Sequence, residues 1–214
     1  MRRCVFAIYL CALPTLHAAE LSARVVSARG VPVADAVVTI VSQDTSSAPT
    51  REAPVTRFID QKNETFIPYV QILRPGDSVV FRNSDNTRHH VYSFAPARQF
   101  EFVLTPGQSS DPLTIERSGI IAVGCNIHDR MVTYLYVSSA QWMVRTNVDG
   151  VATFTLPPGD FDVRVWHPQL RPGQTEPKQL LHFSDAVASQ QLAFTLALLP
   201  DPRGSRDRER ADYQ

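Results

Sequence analysis

Sixteen prolines are spread through 214 residues, and no stretch keeps an apolar period of 3.6 for three turns. A chain so punctuated cannot build long helices. What recurs instead is short β-rich runs between turn signals. Residues 21–27 alternate, Arg29-Gly30-Val31-Pro32 turns, and residues 36–41 form a second run. A polar, proline-bearing linker follows at 43–54. Further runs lie at 66–73, 78–81, 89–94, 99–104, 113–116, 120–123 and 132–137, then at 151–156, 161–166 and 193–199, with Asp149-Gly150 and Pro158-Gly159 among the turns. The expectation is an all-β protein.

Composition narrows the function. Hydrophobic residues make up 43%, too many for general disorder, and 21 basic residues balance 21 acidic ones, so the basic surplus of a nucleic-acid binder is missing. Residues 1–19 are expected to be a secretory signal peptide. Arg2 and Arg3 open it, an apolar stretch of about ten residues is too short to span a bilayer, and His17-Ala18-Ala19 offers a cleavage site near Ala18 or Ala19. The mature chain is then exported, with no integral membrane segment and 19 basic against 21 acidic residues. Cys4 and Cys11 leave with the signal. Cys125 remains as a single cysteine in an oxidising compartment, where something must occupy it.

The chemistry concentrates at Cys125-Asn126-Ile127-His128-Asp129-Arg130-Met131. Cysteine, histidine and methionine three residues apart let one tight loop present a thiolate, an imidazole and a thioether to a single point. That soft-to-borderline set suits copper, and two histidines with one cysteine and a long axial methionine make the blue-copper geometry. A thioether fits a structural zinc site poorly. The second histidine is expected from His89-His90. Asn126 is expected to pair with backbone, Asp129 and Arg130 to face solvent, and His167 and His182 to be surface or satisfied histidines. Asn63-Glu64-Thr65 fits the glycosylation acceptor pattern. Trp142 and Met143 read as packing between domains.

Residues 73–137 resemble a cupredoxin, and the short ligand loop is most similar to that of amicyanin. Asn83, a five-residue gap, then His89-His90-Val91 is similar to the family's Asn-gap-His-Asn-Val pattern. The resemblance implies a cupredoxin Greek-key β-sandwich holding one type 1 copper through His89, Cys125, His128 and Met131. His90 stays open as the alternative to His89, because strand alternation would group it with Tyr92 and Phe94 on a core face. The resemblance also implies a docking surface for a redox protein around His128.

The flanks resemble a carboxypeptidase regulatory-like, transthyretin-like β-sandwich, through Gly30-Val31-Pro32-Val33-Ala34-Asp35-Ala36 and the strands on either side of Leu156-Pro157-Pro158-Gly159-Asp160. The expected organisation is residues 20–45 with 141–198 as that discontinuous sandwich, 46–53 as linker, 54–138 as the inserted cupredoxin domain, and 199–214 as a disordered tail. Two sequential domains are the alternative. The whole resembles bacterial methylamine utilisation proteins. A four-ligand copper has no open position, and the sequence has no Cys-x-x-Cys-His haem motif. The expected function is therefore a periplasmic, monomeric one-electron carrier, not an enzyme. A copper storage or delivery module and a non-redox structural sandwich remain the alternatives.

Overall fold

Many of the strands, such as those over Ala19–Ser27 and Gly159–Trp166, bury every second residue, and strand pairing builds four sheets. The computed structural model describes residues 19–44, 53–128, 130–171, 173–184 and 188–205. The expected signal peptide, save Ala19, and most of the expected linker lie outside the described residues, as does Asp129. The strands are β1 (Ala19–Ser27), β2 (Val37–Ser42), β3 (Thr56–Gln61), β4 (Phe66–Ile67), β5 (Val70–Leu73), β6 (Ser78–Asn83), β7 (His89–Ser93) and β8 (Phe100–Leu104). They continue as β9 (Leu113–Thr114), β10 (Gly119–Cys125), β11 (Val132–Val137), β12 (Trp142–Arg145), β13 (Val151–Leu156), β14 (Gly159–Trp166), β15 (Lys178–Phe183) and β16 (Ser189–Leu196). Among the described residues there is no α-helix, and no helix is long and apolar enough to cross a membrane. The protein is all-β.

Two sheets, ordered β13-β1-β16 and β12-β2-β14-β15, are made from the two ends of the chain. Leu21, Ala23 and Val25 of β1 alternate inward and meet Val38, Ile40, Phe154, Phe161, Val163 and Phe183 in one apolar core. At their rim Gly150 sits at φ 72°, where a Cβ would lie 2.4 Å from the Val25 carbonyl oxygen, so only glycine closes this hairpin. The other two sheets, ordered β5-β11-β10-β7-β8 and β4-β3-β6-β9, come wholly from the middle of the chain. Their core gathers Ile59, Phe66, Phe81, Val91, Ile121, Val123 and Leu135, with Cys125 and Met131 at one end. Parallel pairing of β3 with β6 and of β5 with β11 closes each sheet across long stretches of sequence.

The two sheet pairs meet at an aromatic seam. Trp166 meets Tyr134 edge-on and Tyr136 at a tilt, and Tyr69, Val70 and Val37 are buried beside them. Burial pushes the Tyr136 phenol up to about 12. Arg145 donates to the Val70 carbonyl at 3.0 Å, and Arg74 donates to the carbonyls of Ala140 and Gln141. Trp142 instead packs edge-on against Phe161 in the flanking core, while Met143 joins the seam. The tail expected to be disordered from residue 199 differs in its described part. Pro202–Ser205 form a 3-10 turn, held because the Arg203 guanidinium lies 3.5 Å over the Tyr69 ring and pairs with Asp35 and Asp201.

Candidate metal centre

Strand register puts the donors on one face. In the antiparallel pair β7–β10, Cys125 stands opposite Val91, so Val91 and its i−2 neighbour His89 share the face of Cys125. His89, Val91 and Ser93 are buried; His90 and Tyr92 are half-exposed and Phe94 is 71% exposed. The expected inward grouping of His90 with Tyr92 and Phe94 is therefore reversed. The three rings line up on the outer surface, with Tyr92 and Phe94 centroids 5.3 Å apart, while the smaller valine and serine fit the crowded interior. Gly124 makes room for this row, since a Cβ there would meet the Tyr92 ring at 3.0 Å. His90 pairs with the exposed Glu101 at 2.7 Å, away from Cys125.

The structure brings His89, Cys125 and His128 together, with ligand atoms all within 4.8 Å of one another. Sγ of Cys125 lies 3.7 Å from Nδ1 of His89 and 3.8 Å from Nδ1 of His128. Metal–sulfur and metal–nitrogen bonds of about 2.3 and 2.0 Å, opened to roughly 120°, separate S and N by about 3.7 Å. The donor set and its spacing thus fit one metal ion held between these atoms. The loop is drawn tight by backbone bonds from Cys125 N to Met131 O and from Met131 N to His128 O. These bring Met131 back beside Cys125, and both are buried in the same core.

Upstream, buried Asn83 shapes the loop that delivers His89. Its side-chain nitrogen donates to the carbonyls of Thr87 and Leu104, and its oxygen accepts from the Asp85 N–H. The Asp85 carboxylate accepts from Nε2 of His89 at 2.8 Å. A carboxylate only accepts, so Nε2 carries a proton, and Nδ1 is the ring nitrogen that faces Cys125. Burial acts to raise the Asp85 carboxyl, but the N–H groups of Glu64, His89 and Asn63 outweigh it and hold it below its usual value. Glu64 lies 3.7 Å from Nε2 of His128. Neither acid stands out in the sequence. Only the spacing Asp85–His89 hints at a contact within one loop, and nothing local joins Glu64 to His128.

The remaining candidates lie elsewhere. Asn126 donates its backbone N–H to the His90 carbonyl, and its side chain is exposed; Ile127 is also exposed, and Arg130 is half-buried. His167 is buried, with its ring bonded to the Ala34 carbonyl and the Gln169 N–H, and burial pushes it down to about 4. His182 is exposed and paired with Asp160.

No family model matches the chain, and no curated protein matches it. Among solved structures it is similar to a copper-containing nitrite reductase from Thermus scotoductus SA-01, with 21% identity over 46% of this chain and a TM-score of 0.37. The match spans only 25% of the nitrite reductase chain. A purple cupredoxin from Nitrosopumilus maritimus aligns at 19% identity over 38% of this chain and 98% of its own, with a TM-score of 0.34. A copper(I) amicyanin variant aligns at 17% identity over 39% of this chain and 82% of its own, with a TM-score of 0.36.

Proposed function

We propose that this chain is an exported, periplasmic type 1 copper protein that carries single electrons between redox protein partners and catalyses no reaction itself. The carrying observation is the pair of 3.7 and 3.8 Å separations from Cys125 Sγ to the two Nδ1 atoms. Cys125, His89, His128 and Met131 would hold one copper, Cys125 through its thiolate and Met131 through its thioether. Bound copper supplies a one-electron change of oxidation state. The chain's own groups do the rest. Val91, Val123 and Leu135 are fully buried in the same apolar core as Cys125 and Met131, the buried His89 is fixed by Asp85, and the half-exposed edge of His128 beside exposed Ile127 is where a partner meets the site.

We further propose that the middle sheets form a cupredoxin domain inserted into the flanking sandwich. The chain path supports this: β2 and β12 lie side by side in one sheet, and β3 to β11 intervene in sequence without joining it. The test of the carrier function is voltammetry of the copper-loaded protein. A reversible one-electron wave with copper retained in both states is expected. Release of copper on reduction would instead indicate storage or delivery.

A further inference from the structure

Each imidazole of the centre has a carboxylate at its outer nitrogen, and one turn joins the two carboxylates. Between β3 and β4, Lys62 and Thr65 exchange backbone hydrogen bonds of 3.0 and 3.2 Å, leaving Asn63 and Glu64 as a two-residue hairpin loop. Their φ angles are 53° and 54°. Asparagine tolerates such a conformation, and glycine is the usual second residue; glutamate there is strained. The conformation aims two successive N–H groups at one anion. Asp85 Oδ1 accepts from Asn63, and Oδ2 accepts from Glu64 at 3.0 Å and from Nε2 of His89 at 2.8 Å. The Asp85 loop is tied to the same strand a second time, through Ser84 N to the Gln61 carbonyl and Ser84 Oγ to Asp60 at 2.6 Å. So held, the turn presents the Glu64 carboxylate 3.7 Å from Nε2 of His128. That is too long for a hydrogen bond, so Glu64 acts there as a charge.

We propose that Asp85 is a positioning residue for both histidines at once: it fixes the protonated Nε2 of His89 directly, and it clamps the 62–65 turn so that Glu64 stands over His128. The proposal rests on reading His89 and His128 as metal ligands. It explains why a strained position carries a glutamate, and why one carboxylate takes three donors. A carboxylate on the outer nitrogen makes the inner nitrogen a better donor, and here a single side chain arranges that for both rings.

The test is long-range 1H–15N NMR of the imidazoles in the metal-free full-length chain, paired with titration of Cu(II). In the wild type, His89 is expected with its proton on Nε2. Asp85→Asn keeps the size but removes the charge and an acceptor. It is expected to weaken the Nε2–H preference of His89, to shift the His128 resonances too, and to lower Cu(II) affinity by about 10–100-fold. Glu64→Gln leaves Asp85 and the turn's N–H groups in place, so it stays interpretable if Asp85→Asn fails to fold. It is expected to shift His128 alone and to lower affinity by less than about tenfold. An unchanged His89 tautomer in Asp85→Asn overturns the positioning role, and unmoved His128 signals in either variant overturn the link through the turn. A wild-type chain that binds no Cu(II) overturns the metal reading and this proposal's purpose with it, and the metal-free spectra keep the two failures apart.

Discussion

The two sheet pairs are both β-sandwiches, yet their cores differ at one end. The flanking pair has an apolar core in which Leu21, Val38, Ile40, Phe161, Val163 and Phe183 need nothing but each other, and its buried His167 lies outside that cluster with both ring nitrogens bonded to backbone. The middle pair is equally apolar around Phe81 and Ile121, but one end is closed by Cys125, Met131 and the fully buried His89. A buried imidazole is costly unless its nitrogens are satisfied. The middle pair meets that requirement with Asp85 on one side and Cys125 on the other. Packing alone accounts for the flanking core. It does not account for a thiol facing two imidazole nitrogens, and that surplus of polar order marks the candidate site.

On the proposed function, the flanking pair is a source of stability and the middle pair is the seat of binding. Phe161→Ala should therefore cost about 3–5 kcal/mol in thermal or denaturant unfolding, while the folded variant keeps wild-type Cu(II) affinity. Loss of copper binding in the folded variant would break the division. A second probe of the flanking pair is its buried His167, pushed down to about 4 from 6.5. Between those values the unfolded chain binds more protons than the folded one. Stability is thus full above pH 6.5 and falls, by roughly 3 kcal/mol for this group, as the pH drops through about 4. Denaturant midpoints across that range should show the fall, and His167→Gln should flatten it.

For the middle pair, Cu(II) at a hundredfold excess over its dissociation constant should add about 2.7 kcal/mol to unfolding. The gain should vanish in His89→Ala and persist in His90→Ala, read as the metal-induced shift in midpoint; the reverse pattern would make His90 the ligand. Smallest of all, Lys178→Ala removes the partly exposed pair with half-buried Asp162 in the flanking sheet. It should cost below about 1 kcal/mol and leave copper binding unchanged in titration.

Much of the fold was legible because period two is a local signal. Strands such as β13 and β14 announce themselves in Val151-Ala152-Thr153-Phe154 and Phe161-Asp162-Val163-Arg164. Strand β3 does not: Thr56-Arg57-Phe58-Ile59-Asp60-Gln61 sets its apolar residues side by side, and the strand exists through parallel pairing with β6. β15 is similar, with adjacent Leu180 and Leu181 facing opposite ways, one exposed and one buried. At the site, loop spacing singled out Cys125 and His128. The alternation argument put His90 on a core face, because an exposed aromatic row looks like one until register is known. The carboxylates were out of reach, since Glu64 meets His128 only through a turn whose shape depends on Asp85.

The most direct measurement is a visible absorption spectrum of the purified protein with one equivalent of Cu(II), beside Cys125→Ser. An intense blue band, bleached by ascorbate and absent in the variant, is the predicted result. Colourless binding, or a band that survives the loss of Cys125, would contradict a thiolate–copper centre in this chain.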